Sequence, residues 1–449
     1  MRGKLAVIAL TLLLGGIVVG SSSAATNTLT NTMLAPYAGS GDYILCSGGV
    51  VTPDNPVTPA KEQTCTISSN SGACIERSSA RVVVQTCDFT QTSAASTNRA
   101  IAIQLAIQRK SGPSGLFDAT QIVHVGQQNV TANNNALVGQ AVIQALGRSE
   151  DNGNDDDGDE EALAGSPVST PINQNEEGHQ YVVVCQGGAD CHSAAGMTGD
   201  NTSNLLQVLG QSEVGKGAPT INQLQNVALR PTQCPNVEDL SAHVCASVDQ
   251  NTTAGRDVSR IAQPYREFQS ARNTGGGQQV QGDTTDPAKA GGLDHVVNQV
   301  GAQKSDIFTG QNAVQLQLTR NVGTMTQFQD PPIRKGLGST QTATADSTWT
   351  GVQRLVQIQR MDGVSMGNQT ALESYECFTT GLCTVNQSVN QNGAVTTNSC
   401  GPTSFCQTEI TCEAVSEESG GCVAPPPVTS CSEGTFFDPT TGQCEEEIE

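Results

Sequence analysis

The sequence contains few aromatic and few basic residues. Trp, Tyr and Phe number 1, 5 and 9 in a chain of 449 residues. The large side chains that anchor an ordinary globular core are therefore scarce, and little apolar area can be buried per residue. Glutamine is abundant instead, with 40 residues. A chain of this composition needs hydrogen bonding, cross-links or repetition to become stable.

Basic residues are outnumbered about two to one. The chain has 22 Lys and Arg against 43 Asp and Glu, which gives a formal net charge of −21. Such a surface repels the phosphate backbone of nucleic acids and the headgroups of anionic lipids. We therefore expect no nucleic-acid partner, and we expect solubility and an affinity for cations.

Long apolar runs are missing except near the start. Residues 5–20 are apolar, Arg2 and Lys4 precede them, and small residues follow. This order is typical of a secretory signal peptide, here with cleavage after Ala25. The alternative, an uncleaved membrane anchor, needs a longer run. The sequence thus predicts a protein that is secreted or held at the extracellular surface, without membrane insertion.

A complete set of catalytic residues is also missing. The stretch GVSMG resembles the nucleophile elbow of α/β-hydrolases, with Ser365 as the nucleophile. In that family the His follows the Ser in the chain, whereas all five His of this chain precede Ser365. Because no nucleophile, base and orienting group can be combined, we expect a non-enzymatic protein.

Sixteen Cys in an exported chain predict disulfide bonds. They form three groups of even size, so each group could close within itself, although the pairing cannot be deduced from sequence. The disulfide candidates are Cys185, Cys191, Cys234, Cys245, Cys431 and Cys444. The middle group could alternatively bind zinc together with His192 and His243, but the spacing matches no standard zinc motif.

A short unit recurs along the chain. It first occurs as Asn98-x-Ala100-x3-Gln104-x3-Gln108. Three further copies begin at Asn134, Asn201 and Ser347, and their amides are Gln140 and Gln144, Gln207 and Gln211, and Gln353 and Gln357. Recurrence at intervals of a few tens of residues is typical of stacked repeats.

The unit fits a β-strand better than an α-helix. A helix would also place residues i, i+4 and i+8 on one face, and Asn98 could cap it. Upstream runs of β-branched residues, such as RVVVQT and QYVVVC, favour strands. In a strand, the amides share one face with Ala100, and the opposite face carries Ile101, Ile103, Leu105 and Ile107.

Stacked strands would give these amides a structural role. Each Gln or Asn could hydrogen-bond to its equivalent in the next copy and form a ladder like those in cross-β stacks. Buried amides are tolerated only when they are paired in this way. Alternatively, the Gln face is exposed to solvent and the Ile/Val face alone forms the core, which would exclude the ladder.

The half-unit Asn-x-Ala-x3-Gln resembles the second half of the curlin repeat of bacterial curli fibres. The copy at Asn134 also has the preceding Gln121-x5-Gln127. The resemblance implies a β-solenoid that assembles on the cell exterior. The chain departs from the curlin pattern in its longer turn between Gln127 and Asn134, its uneven repeats and its many Cys.

Residues 150–161, EDNGNDDDGDEE, include eight acidic residues. We interpret this segment as a solvated linker between repeats. Alternating oxygen ligands also suit calcium, although the EF-hand pattern is not matched. If calcium is a cofactor of this protein, the candidate ligands are Asp155, Asp157 and Asp159.

The last quarter of the chain has a higher density of Cys from Cys377 onward and a stiff VAPPPV spacer. The stretch CSEGTFFDPTTGQC that follows resembles the central part of a peritrophin-type chitin-binding module. The resemblance implies sugar binding, but that module has six Cys and a longer tail. The alternative is a small cap closed by Cys431 and Cys444.

These features predict a mainly β protein, with irregular β-solenoid-like repeats stacked through Gln/Asn ladders and a small disulfide-rich tail. The expected segments are a signal peptide (1–25), a Cys-containing cap (26–80), a repeat region (81–376) interrupted by the acidic linker (150–161), and a Cys-rich C-terminal region (377–449). The leading functional hypothesis is a secreted, non-enzymatic structural or cell-surface protein that associates with itself. The alternative is an extracellular adhesin that binds polysaccharide.

Overall fold

The computed structural model describes residues 41–53, 60–112, 114–147, 170–187, 197–225, 244–282, 293–300, 304–329, 336–340, 347–360, 364–378, 381–400, 405–414, 435–438 and 443–446. Every regular element in these ranges is a β-strand. Within them there is no helix of the length and hydropathy needed to cross a membrane.

The described ranges contain twenty-five strands. In chain order they are β1 (Tyr43–Ser47), β2 (Gly49–Thr52), β3 (Lys61–Ile67), β4 (Ser71–Ser78), β5 (Val82–Ser93), β6 (Asn98–Ser111), β7 (Gly115–Asn129), β8 (Asn134–Gly147), β9 (Ile172–Gln186), β10 (Asn201–Lys216), β11 (Ile221–Gln225), β12 (Val244–Asn251), β13 (Arg256–Thr274), β14 (Gly277–Gln281), β15 (Leu293–Val300), β16 (Lys304–Val322), β17 (Met325–Gln329), β18 (Gly336–Thr340), β19 (Ser347–Arg360), β20 (Val364–Phe378), β21 (Leu382–Gln391), β22 (Ala394–Cys400), β23 (Phe405–Ala414), β24 (Thr435–Asp438) and β25 (Gln443–Glu446).

Almost all of these strands belong to two large sheets. Sheet A has the order β1-β4-β6-β8-β10-β13-β16-β19-β21-β22, and sheet B follows β2-β3-β5-β7-β9-β11-β14-β17-β20-β18, with β12, β15 and β23 attached to it. The chain alternates between the sheets, so that β5 in sheet B leads to β6 in sheet A and β7 leads to β8. Neighbouring coils pair in parallel and in register. The predicted stacked β-solenoid-like fold is therefore confirmed.

The alternating direction of side chains along each strand determines which residues face the core. In β19 every second residue is buried while its neighbours are half-exposed, as expected for a strand with one face on a core. In β6 the inward face carries Asn98, Ala100, Gln104 and Gln108, all of which are buried. The strand interpretation and the inward-facing amides are thus confirmed.

The opposite face of sheet A is also apolar. Ile103 and Leu105 are only 1% and 3% exposed there. They belong to a second buried cluster with Ile143, Leu206 and Val208 from the neighbouring coils. In the middle of β6, β8 and β10 both faces are therefore buried, and each buried aliphatic side chain contributes about 1.5–3 kcal/mol.

The interior consists of apolar strips between columns of amides. In β7, Val123 and Val125 lie between Gln121 and Gln127, and equivalent residues of the coils above and below extend the strip along the stack. A second strip runs on the other side of the amides through small residues such as Ala106 and Ala119. Small and β-branched side chains suffice to fill a space this narrow, which explains how the protein forms a core with so few aromatic residues.

Antiparallel strands close both ends of the stack. At the N-terminal end β1 pairs with β4 and β2 pairs with β3, and at the C-terminal end β22 pairs with β21 and β23 pairs with β20. Asn392 and Gly393 connect β21 to β22 with φ angles of 48° and 96°. Two central residues with positive φ are typical of a tight hairpin turn.

Two disulfide bonds join the sheets at the N-terminal end. Cys46 on β1 bonds to Cys65 on β3, and Cys74 on β4 bonds to Cys87 on β5. Each bond links sheet A to sheet B through the core. The first group of four Cys therefore closes within itself, which holds the two sheets together where the first coils are short.

In the described residues, two separate strands of sheet B follow β9. The N-terminal part of β9 pairs with β11, whose last residue, Gln225, lies opposite Glu176, and its C-terminal part pairs with β12, whose first residue, Val244, lies opposite Gln180. The next coil likewise contains the two strands β14 and β15. Among the described residues, 177–179 in the middle of β9 therefore have no register partner on this side.

Candidate functional site

The most extensive polar feature is a column of side chains through eight strands of sheet A. The Nε2 atom of each Gln donates a hydrogen bond of 2.8–3.0 Å to the side-chain oxygen of the preceding residue. Its members are Glu76, Gln104, Gln140, Gln207, Gln263, Gln311, Gln353 and Gln387. All eight residues are buried.

Several of these amides also connect the two sheets. The second N–H of Gln104 donates to the carbonyl oxygen of Ile122 at 3.0 Å, and that of Gln140 donates to Tyr181 O at 3.2 Å. In return Gln121 of sheet B donates to Ala141 O of sheet A at 3.1 Å. One primary amide therefore satisfies two donors and one acceptor, along the stack and across the core.

The remaining predicted residues form two shorter columns. Gln144 donates to Gln108 and Gln211 donates to Gln144, both at 2.7 Å. The next residue in register is Glu267, after which the column continues through Gln315, Gln357 and Gln391. The Asn residues run in the opposite direction, since Asn98 donates to Asn134, Asn134 to Asn201, and Asn201 to Asp257, each at 2.9 Å.

The ladder residues predicted from the sequence do not include the Gln columns of sheet B. One runs through Gln63, Gln85, Gln121 and Gln180, and another through Gln91, Gln127, Gln186, Gln250 and Gln299. The signal that could have revealed them is a pair of Gln six residues apart shortly before each Asn unit. It occurs at 85 and 91, at 121 and 127, and at 180 and 186.

Carboxyl groups begin or interrupt several columns. Glu76 accepts from Gln104, Glu176 from Gln225, Glu213 from Gln269 and Glu267 from Gln315, at 2.7–3.1 Å. A carboxylate can accept this bond, but it cannot donate to the preceding coil as an amide does. Opposite Glu267, the Oε1 atom of Gln211 accordingly has no hydrogen-bond partner in the part of the chain that the structure describes.

Burial makes these carboxyl groups weak acids. Loss of hydration raises the pKa of Glu76, Glu176, Glu267 and Glu373 to about 8 and that of Asp257 to about 7. Burial raises the pKa of Glu213 well above its usual range, and the charge of Glu176 adds to the effect. The hydrogen bonds that these carboxyl groups accept lower their pKa values, but by less than burial raises them. The core therefore favours neutral carboxyl groups at pH 7.

Two groups of residues within the described ranges have ligand atoms close enough for one metal ion. The first consists of Cys74, Glu76 and Cys87, but both sulfur atoms are already joined in a disulfide bond. The second consists of Asp118, Glu177 and His179, whose ligand atoms lie within 4.8 Å of one another. The ligand atoms of the second group are not joined to one another by a covalent bond.

Several predicted residues do not take part in these features. The calcium candidates Asp155, Asp157 and Asp159 lie outside the described residues, as do Cys191, Cys234 and Cys431. Cys185 on β9 and Cys245 on β12 are both in disulfide bonds, so their thiolates are not available for the alternative zinc site. Cys444 lies in β25 and Ser365 in β20.

Comparison with known proteins finds no family model, no curated protein and no solved structure that matches the chain.

Proposed function

We propose that this protein is an exported, non-enzymatic structural protein of the cell exterior, and that its solenoid associates end to end with a second copy of the chain. The observation that carries the proposal is the surface formed by β1 and β2, which we call the N-terminal end surface. It consists of residues 43–47 and 49–52 and lies at the edge of both sheets.

The N-terminal end surface is apolar and open. Tyr43, Leu45, Val50 and Val51 are 36%, 52%, 71% and 41% exposed, and they are four of the nine exposed large hydrophobic residues among those that the structure describes. Neither strand contains a charged residue or a proline. Edge strands are usually protected by such residues against pairing with another chain, so this surface favours pairing with a further strand.

The body of the solenoid suits a load-bearing role. The column from Glu76 to Gln387 is continuous over eight coils, or about 34 Å at about 4.8 Å per strand. Each coil is bonded to the next by backbone hydrogen bonds and by several amide columns. Bending or sliding one coil would break many of these bonds at once, so the stack is a stiff unit for building a larger assembly.

Sedimentation and negative-stain imaging of the oxidised mature chain test the proposal. We expect elongated assemblies for the unmodified protein and monomers for the double variant Leu45→Lys, Val50→Lys. Leu116→Lys is the matched control, because Leu116 is similarly exposed at 46% but lies on the side of the stack in β7. This control should still assemble.

Monomers of the unmodified protein at all concentrations would contradict the proposal, as would undiminished assembly of the double variant. A parallel run with calcium tests whether the acidic segment 150–161 contributes. Retention of a monomeric protein on chitin beads would instead favour the polysaccharide-binding adhesin.

A further inference from the structure

The outer face of sheet B carries a cluster of two carboxylates and one imidazole. Asp118 lies on β7, and Glu177 and His179 lie on β9. Asp118 is the register partner of Glu177, and Thr120 is the partner of His179. Because Phe117 and Ala119 occupy the inward positions of β7, the three side chains share the outward face.

Register and parity bring the three groups together. Glu177 and His179 are two residues apart on one strand, so their side chains project on the same side, and the parallel pairing places Asp118 directly beside them. Their ligand atoms lie within 4.8 Å of one another. Gly178 lies between them in the chain, and its inward position has no room for a side chain. An added Cβ would lie 2.5 Å from the Leu209 side chain in the core.

The cluster is sheltered on a face that also carries exposed and half-exposed residues. Glu177 and His179 are 7% and 8% exposed, whereas His124 and Asp88, another carboxylate–imidazole pair on the same face, are exposed and half-exposed. The ring of Tyr181 is stacked beside that of His179 with centroids 6.4 Å apart, and Asn175 Nδ2 is 3.4 Å from Glu177 Oε1. The imidazole and one carboxylate are thus held in a defined place.

We propose that Asp118, Glu177 and His179 form a binding site for a divalent transition-metal ion of the zinc type. Zinc binds imidazole nitrogen and carboxylate oxygen, and three protein ligands with water complete a common coordination sphere. Calcium takes oxygen ligands, so the imidazole disfavours it here. The site is separate from the acidic segment 150–161, and it does not depend on association through the N-terminal end surface.

Bound metal would cross-link two coils beside the middle of β9. Asp118 belongs to the coil of β7 and the other ligands to the coil of β9, and among the described residues 177–179 have no register partner on the other side of β9. An ion that bridges β7 and β9 would reinforce the stack at this point. Because the ion binds the folded chain only, it also raises the unfolding temperature in proportion to the logarithm of its concentration.

Calorimetric titration of the full mature chain with ZnCl2 tests this proposal, with CaCl2 as a second titrant. We expect one zinc ion per chain and a rise in unfolding temperature, with no calcium binding that depends on these residues. Asp118→Asn and His179→Gln should each weaken zinc binding by at least about tenfold, because even changes next to direct ligands weaken zinc sites about 10–100-fold.

The matched controls are His124→Gln and Asp88→Asn. These residues are register partners on the same face, and their substitution should leave the affinity for zinc unchanged. Zinc affinity that is equal in the ligand variants and the unmodified chain would overturn the proposal. If a ligand variant fails to fold, anomalous scattering at the zinc edge from crystals of the unmodified chain tests the site instead. A zinc peak away from the three side chains, or no peak, would refute the proposal.

Discussion

Glutamine is buried in this protein because its side-chain amide can hydrogen-bond to the preceding coil, to the following coil and to the opposite sheet. Gln140 donates to Gln104 in the preceding coil and to Tyr181 O in the opposite sheet, and it accepts from Gln207 in the following coil. A leucine would fill the same volume but would leave these groups unpaired, and each unpaired buried group costs about 1–3 kcal/mol. The amide is therefore a structural requirement in this core.

The buried carboxyl groups predict that stability falls as the pH rises. Glu76, Glu176 and Glu267 have a pKa of about 8 in the folded chain against an ordinary value of 4.5. The folded state therefore binds protons more tightly than the unfolded state. The stabilisation is complete below about pH 4.5 and is lost as the pH rises to about 8. Thermal unfolding followed by circular dichroism between pH 4 and 9 should show a declining midpoint.

Glu267→Gln should reduce this decline and raise the midpoint at pH 8, because an amide stays neutral and can donate to Gln211 Oε1 in the preceding coil, whereas an ionised carboxylate can only accept. Asp88→Asn is the control, since it makes the same chemical change at a half-exposed site. A pH profile of Glu267→Gln that coincides with the profile of the unmodified chain would show that this carboxyl group is not the cause.

At the scale of elements, the sequence predicts strands and faces better than it predicts their arrangement. The parity of Asn98, Gln104 and Gln108 places them on one face of a strand, because alternate residues point to the same side, but parity alone left open whether that face is buried. It did not reveal the cluster of Asp118 with Glu177 and His179. Asp118 precedes Glu177 by 59 positions, and only the register between β7 and β9 brings it beside Glu177 and His179.

The hairpin of β21 and β22, which caps the C-terminal end of sheet A, has a local signal in the sequence. Asn392-Gly393 between two alternating segments is a strong indicator of a tight turn, and the structure has β21 and β22 on either side. The antiparallel direction of β22 follows from this turn.

Gly393→Ala should loosen this cap. The φ angle of Gly393 is 96°, which a residue with a Cβ adopts only with strain, although the space around it is open. We expect faster amide hydrogen exchange in residues 394–400, with little change in β19. Gly310→Ala is the control, because its surroundings are equally open but its φ is not in the positive region. Equal effects of the two substitutions would mean that the turn conformation does not hold the cap.

At the scale of the whole molecule, charge opposes the proposed association through the N-terminal end surface. The chain carries a formal charge of −21, and two copies brought end to end repel each other over a distance set by the ionic strength. That distance is about 30 Å at 0.01 M salt and about 3 Å at 1 M. The apolar contact between the ends has a range of a few ångströms only, so at low salt repulsion acts long before contact is made.

Salt should therefore promote assembly of the unmodified chain. Sedimentation velocity at equal protein concentration should show mainly monomers in 0.01 M NaCl and longer species in 1 M NaCl. The double variant Leu45→Lys, Val50→Lys should stay monomeric in both, because it lacks the apolar contact however well the charges are screened. If salt drives the double variant into the same species, the association arises elsewhere on the molecule. Assemblies that dissolve as salt is added would mean that ion pairs, and not apolar edge strands, hold the copies together.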